Sequence, residues 1–240
     1  MGERDEAHRD FSRAVLQPVS GYQAVAGFLR REMALGRIRP GDRLPPERRL
    51  AEQLGVARET LRQALRILEG SGQIVISRGA AGGAIVQDAV MDPRLIREEV
   101  RTRSAEIGDL TEFRAIVESG GAALAAARRS EADLEAMALA QRELAASATK
   151  AESRIADTDF HIALAEASGN SFVRDAVEEA RVRMFEPVDL MSFDFVKDSS
   201  WHAHEAILDA VRGGDAEGAA EAMRAHLRTT REEFTRVVDL

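Results

Sequence analysis

Between Leu61 and Leu68 the apolar residues fall at Leu61, Ala64, Leu65 and Leu68, the spacing of one side of a helix. Glu59, Arg62, Gln63 and Arg66 turn away from that side. The stretch RETLRQALRILEGSG therefore reads as a helix with one packed face and one polar face. Before it, ERRLAEQLG reads as a short helix, and Gly55, Val56 and Ala57 form a tight turn. Earlier still, Ser20 caps a helix that runs to about Leu35 and stops at Gly36, and RPGDRLPP is a turn. After residue 73 the pattern changes to period two. IVIS, the Gly-rich RGAAGG and AIVQ make a small β-hairpin. Helix, short helix, three-residue turn, helix and hairpin is the order of a winged helix-turn-helix.

From Asp92-Pro93 onward no strand pattern is present. Start signals stand at Asp92-Pro93, at Asp109, at Ser130 with Asp133 three on, at Asn170, at Ser199 or Ser200, and at Asp215. Gly169 and Gly213 read as stops, and Pro187 should kink or end the helix that begins near Asn170. Six or seven Ala-rich amphipathic helices follow, so this part is an all-α bundle. The chain as a whole is expected to be mainly α. A disordered tail covers 1–18 and the winged helix-turn-helix with its small β-hairpin wing covers 19–88. A linker at 89–94 leads to an all-α domain over 95–240.

Charge sharpens that division. Residues 1–80 hold 14 Lys and Arg against 10 Asp and Glu, whereas the remainder holds 19 against 31, within a net charge of −8. A mildly basic front and an acidic back suggest different partners. There are no cysteines, which excludes thiolate nucleophiles and Cys-based zinc sites, so a metal must rest on His, Asp or Glu. The polar start MGERDEAHRD is not a signal peptide, and no apolar run approaches the ~20 residues of a membrane helix. A cytoplasmic protein without a membrane partner is expected.

The polar face of the third helix is suited to a major groove. Arg58 stands at its exposed start and Arg62 one turn on. Arginine donates two parallel hydrogen bonds to guanine O6 and N7, which few side chains can do. Arg48 and Thr60 are placed to meet phosphate or base edges, and Arg78 at the hairpin tip can reach a minor groove or the backbone. A solvated arginine face is the plain alternative for any one of these. The turn, the hairpin and the clustering together favour double-stranded DNA.

In the rear half, Asp157 and His161 share a stripe with Leu164 and Ser168, while Asp159 and Glu166 point the other way. His204 shares a face with Trp201, Ile207, Leu208 and Val211, and His226 lies with Ala219, Ala222, Met223 and Thr230. His202 sides with Glu205 and Asp209 and should be wet. Three histidines and one aspartate are thus predicted to enter one interior from three helices. A core histidine is usually satisfied by a carbonyl, but an inward carboxylate is costly unless paired or bound to a cation. One carboxylate and three imidazoles suit Zn²⁺, and also Ni²⁺, Mn²⁺ or Fe²⁺. Arg114 shares a stripe with Leu110, Gly121 and Ala125. It either faces this interior as a carboxylate clamp or pairs with Glu118 one turn on. Asn170 reads mainly as a helix cap, with a minor place as an effector contact.

The unbroken stretch PGDRLPPERRLAEQLGVARETLRQALRILEGSGQI, from Pro40 to Ile74, resembles the GntR superfamily of bacterial transcription regulators. The resemblance implies DNA contacts through Arg48, Arg58, Thr60 and Arg62, with Arg78 and Gly79 in the wing. Family members usually carry Ser or Thr where this chain has Ala57. The segments LTEFRAIVESGGAALAA, D-x-x-FH-x-ALAEASGN, HEAILDAVRGGDAEGA and M-x-x-HL resemble the FCD effector domain of the FadR-like branch, over roughly 95–235. That likeness puts metal ligands at Asp157, His161, His204 and His226, and it implies a homodimer with a small organic acid as effector. A ligand-responsive regulator of a palindromic operator is the expectation, and not an enzyme. The alternatives are a purely structural metal in the same regulator, or a metal-dependent hydrolase or isomerase, against which stands the absence of an HExxH motif.

Overall fold

A computed structural model describes residues 20–77, 83–88, 98, 101–188 and 193–238. The expected tail at 1–18, the linker at 89–94, the start at Asp92-Pro93, and both Arg78 and Gly79 lie outside these residues.

The front half holds α1 (Gly21–Ala34), α2 (Glu47–Leu54), α3 (Arg58–Gly70), β1 (Ile74–Ser77) and β2 (Gly83–Val86). Ser20 begins α1, and its backbone N–H and hydroxyl both donate to the Gln23 side-chain oxygen. The turn between α2 and α3 works because Gly55 adopts φ +65, a left-handed cap that only glycine enters without a Cβ penalty. The apolar side of α3 is fully buried: Leu61, Ala64, Leu65 and Leu68 are 0–2% exposed. They pack with Val25, Ala26 and Leu29 of α1 and with Leu50 of α2. Each such leucine contributes ~1.5–3 kcal/mol by leaving water. The two strands pair antiparallel from Ile74 opposite Val86 to Ser77 opposite Gly83. The RPGDRLPP turn does more than connect. Arg43 bridges to Ile85, and the Leu44 N–H donates to the Ala84 carbonyl at 2.9 Å, so this segment edges the hairpin.

The rear half is α throughout its described residues, with α4 (Ser104–Arg128), α5 (Glu131–Ala146), α6 (Lys150–Ala167), α7 (Ser171–Val188), α8 (Phe193–Gly213) and α9 (Ala216–Val238). α4 packs along α9, α5 along α6, and α8 along α9, while α6 also meets α4, α7 and α8. Their shared core brings Ala122, Ala125, Met137, Phe160, Leu164, Ile207 and Met223 together. Ser130 with Asp133 caps α5, Asn170 caps α7, and Asp215 accepts from the Gly218 N–H in the first turn of α9. α7 ends at Val188, one residue past Pro187. Two expected starts are corrected. Asp109 lies inside α4, which begins at Ser104, and Ser199 and Ser200 lie inside α8, which begins at Phe193. These residues are competent caps, but helix is already present upstream of each, and before Asp109 it is held by the buried Ile107. The start at Thr149, whose hydroxyl accepts from the Glu152 N–H at 3.2 Å, was not expected.

Candidate metal centre and nucleic-acid interface

α6 brings Asp157 and His161 inward one turn apart, α8 supplies His204 and α9 supplies His226. One ligand atom from each lies within 4.8 Å of every other. The three imidazoles are almost sealed from water, at 1%, 0% and 5% exposure. His161 Nε2 and His226 Nε2 approach to 3.3 Å, and His204 Nε2 stands 3.5 Å from Asp157 Oδ1. The Phe160 ring stacks on His204 at 4.0 Å and fixes its plane.

These groups fit a cation better than they fit each other. Neither ring nitrogen of His204 has a hydrogen-bond partner among the described residues. An orphaned buried polar atom costs ~1–3 kcal/mol, which a bound cation offsets. Burial pushes His204 well below the ordinary imidazole range, and burial with the neighbouring His161 takes His226 down to about 3. Both are therefore neutral at physiological pH and carry a lone pair, the form that ligates. Burial alone would raise the Asp157 carboxyl, but the charge of the Arg181 guanidinium beside it outweighs burial, holds the group well below the ordinary carboxylate range, and keeps it ionised. The four residues can hold a metal ion.

Two neighbours of the cluster carry contacts that the sequence did not show. Glu118 of α4 sets its Oε2 2.6 Å from His161 Nδ1 and accepts from Arg114 Nε with Oε1, also at 2.6 Å. The two atoms are close but not aligned as a hydrogen bond; a proton on Nδ1 facing this carboxylate would leave the Nε2 lone pair toward the cluster. The second is Arg181 of α7. Its guanidinium donates to Asp157 Oδ2 and to the Thr158 hydroxyl, through Nε at 3.2 Å and Nη2 at 2.9 Å. Arg114 is 2% exposed, ion-paired with Glu118, and near enough to the cluster to act on His226. Asn170 stands at the start of α7, where its side chain accepts from the Phe172 N–H at 3.0 Å. His202 is exposed and donates from Nδ1 to the Asp198 carbonyl at 2.8 Å.

On the front half, Arg48 and Arg58 are exposed at the starts of α2 and α3 and have no ion pair among the described residues. Arg62 is held by Glu59 at 3.3 Å and Glu47 at 3.4 Å, pairs that water screens and that DNA can displace. The Thr60 methyl lies against Gly21 of α1, which leaves only part of the residue to solvent. Ala57 occupies the cap position of α3 in an extended conformation and makes no side-chain bond.

Residues 21–82 match the model of the gntR family of bacterial regulatory proteins, and residues 109–229 match that of the FCD domain. The Uxu operon transcriptional regulator of Escherichia coli is 32% identical over a span covering 91% of this chain and 90% of its own. The chain belongs to the gntR family. The HTH-type transcriptional regulator LutR of Bacillus subtilis is 30% identical, covering 80% of this chain and 91% of its own. Among solved structures, McbR/YncC of E. coli superposes with a TM-score of 0.53 at 21% identity, covering 91% of this chain and 98% of the other, which supports the fold. This gntR-family member is a DNA-binding transcription regulator and not an enzyme. None of its described helices is long and apolar enough to cross a membrane.

Proposed function

We propose that this regulator binds a palindromic operator as a homodimer and that a small organic acid, seated at a divalent metal in the helical half, sets its operator affinity. The cluster of half-buried Asp157 with buried His161, His204 and His226 carries this reading. Zn²⁺ suits the donor set best, with Ni²⁺, Mn²⁺ and Fe²⁺ next. When bound, such an ion supplies positive charge and open coordination positions for a carboxylate.

Charge balance supports an acid as effector. Ligating imidazoles must be neutral, and Asp157 and Glu118 are then matched by Arg181 and Arg114. A dication then leaves two positive charges without counterparts in a buried place, which is costly until an anion joins them. Arg181 is the arginine already at the cluster, and its planar fork suits a carboxylate. On the front half, Arg58 and Arg62 read base edges, Arg48 and Thr60 position the duplex, and Arg78 and Gly79 extend the contact from the wing.

The experiment joins three readouts on one preparation. Elemental analysis identifies the metal. Thermal shift against a panel of short hydroxy- and dicarboxylic acids, with and without chelator, finds the effector. Selection from random duplexes gives the operator, on which Arg58→Ala and Arg62→Ala should each lose ~1–3 kcal/mol per lost base contact. Bound metal that raises the melting temperature while no acid alters DNA binding would leave the ion a purely structural role. No metal at all would remove the reading.

A further inference from the structure

α7 faces two ways. Toward the bundle interior, Arg181 is 5% exposed in its side chain and holds Asp157 and Thr158 of α6. One turn earlier, on the side toward the front half, Glu178 is 12% exposed and accepts from Arg31 at 3.1 Å and also from Arg37. Glu179 adds a second bond to Arg31 at 2.8 Å. Arg31 lies in the last turn of α1, and Arg37 follows its end. The same α1 packs against α3. A single turn of helix therefore links a candidate ligand to the element on which α3 rests.

We propose that this turn of α7 couples the metal centre to the DNA-reading half, with Arg181 sensing the charge on Asp157 and Glu178 conveying the response through Arg31 and Arg37. The inference rests on the metal reading above. Its physical basis is competition for one carboxylate. In the structure Asp157 is the carboxylate Arg181 touches among the described residues, with Asp159 near enough to feel its charge. A dication that takes Asp157 both weakens that partner and repels the guanidinium. Arg181 must then find a new anion or move, and Glu178 is rigidly placed three residues away on the same helix. An effector carboxylate supplies the new anion, so metal alone and metal with acid leave α7 in different states. A competing route exists through α6. Gly36 comes so close to Ile155 that an added Cβ would fall 2.6 Å from Cγ2, and Arg39 lies 3.8 Å from Asp159.

The test uses the full chain, stripped with chelator and titrated with ZnCl₂. Zinc affinity is read by competition with a chromophoric chelator, and amide hydrogen exchange is followed in peptides spanning 31–38. In the wild type, saturating zinc should change exchange there by about fivefold or more, the lower end of ordinary site-to-site coupling. Glu178→Gln, on a partly solvated side chain, should bind zinc within about twofold of wild type while losing that change. Arg181→Gln, which opens the other end, should lose it too at zinc saturation. Zinc bound with the same exchange response in the wild type and in Glu178→Gln would overturn α7 as the route and point to α6. A wild-type chain that binds no zinc would overturn the metal reading and the coupling together.

Discussion

Glu118→Gln separates what Glu118 does for the fold from what it does for the metal centre. The carboxylate is 2% exposed, accepts from Arg114 Nε at 2.6 Å with one oxygen and sets the other 2.6 Å from His161 Nδ1. Burial by itself would raise its carboxyl, but the Arg114 charge and the His161 ring beside it hold the group well below the ordinary range. A glutamine has one acceptor oxygen for these two nitrogens. If the oxygen stays with Arg114, the amide NH₂ meets His161 Nδ1, which must then become the acceptor. The ring proton moves to Nε2 and points into the cluster. Loss of such a carboxylate behind a ligating histidine lowers metal affinity ~10–100-fold, or about 1.4–2.7 kcal/mol. The fold suffers separately, because Arg114 becomes a buried charge without a counter-charge, at a cost of ~3–5 kcal/mol.

The two effects come apart in a double variant. Arg114→Met with Glu118→Met removes both charges, and apolar replacement of a buried pair is often neutral or better. Urea unfolding in the presence of chelator should show Glu118→Gln well below wild type and the double variant close to it. Zinc competition should show both variants weakened by ~10–100-fold, since neither orients His161. Zinc affinity within twofold of wild type in Glu118→Gln, or full recovery of affinity in the double variant, would refute the claim that this carboxylate sets the His161 tautomer.

His204→Ala should abolish stoichiometric metal in elemental analysis and His202→Ala should leave it intact, because His204 is sealed in the cluster while His202 is exposed and bonded to a carbonyl; equal losses would contradict that assignment. Metal-free protein should lose stability as the pH falls from 7.5 to 5.5. His204 and His226 stay neutral when folded but gain protons near 6.5 when unfolded. Each therefore costs ~1.4 kcal/mol at pH 5.5, against which Asp159, raised to about 6 by burial, returns less than ~1 kcal/mol after solvent screening, so the unfolding free energy from urea titration should drop by a net ~2 kcal/mol and the midpoint with it. Unchanged midpoints would show that the imidazoles are not buried neutral. Ala57→Ser should stabilise the front half by ~0.5–2 kcal/mol, read as a higher thermal midpoint, since the residue already has the extended backbone of a cap and lacks only the hydroxyl.

What periodicity could read here is which side of a helix is inward. That was enough to bring Asp157, His161, His204 and His226 to one interior from three helices, and to bury Leu61, Ala64, Leu65 and Leu68 on α3. Capping chemistry located Ser20, Ser130, Asn170 and Asp215 for the same reason: each signal is local, within four residues of its effect. It failed where a competent local signal stands inside a helix already under way, as at Asp109 and Ser199, and where the turn at 39–46 took part in the hairpin edge through contacts some forty residues away.

Glu118 and Arg181 show a deeper limit. Both are charged residues on long amphipathic helices, and composition alone assigns such residues to solvent. Glu118 had one legible clue, its spacing of four from Arg114 on an inward stripe. The spacing suggests a pair, but not that the pair is buried or that its second oxygen faces an imidazole from another helix. Arg181 had less, because its partner Asp157 lies 24 residues back on α6. The requirement could still be stated beforehand as a sum of charges. An inward Asp157 needs a cation, and three neutral imidazoles do not supply one, so an arginine or lysine must come in from a neighbouring helix or a metal must be present at all times. The structure answers with Arg181, which lets the half-buried Asp157 stay ionised when no metal is bound. A site that is stable in both states can report which state it is in, and a permanently filled structural site has no need of that second partner.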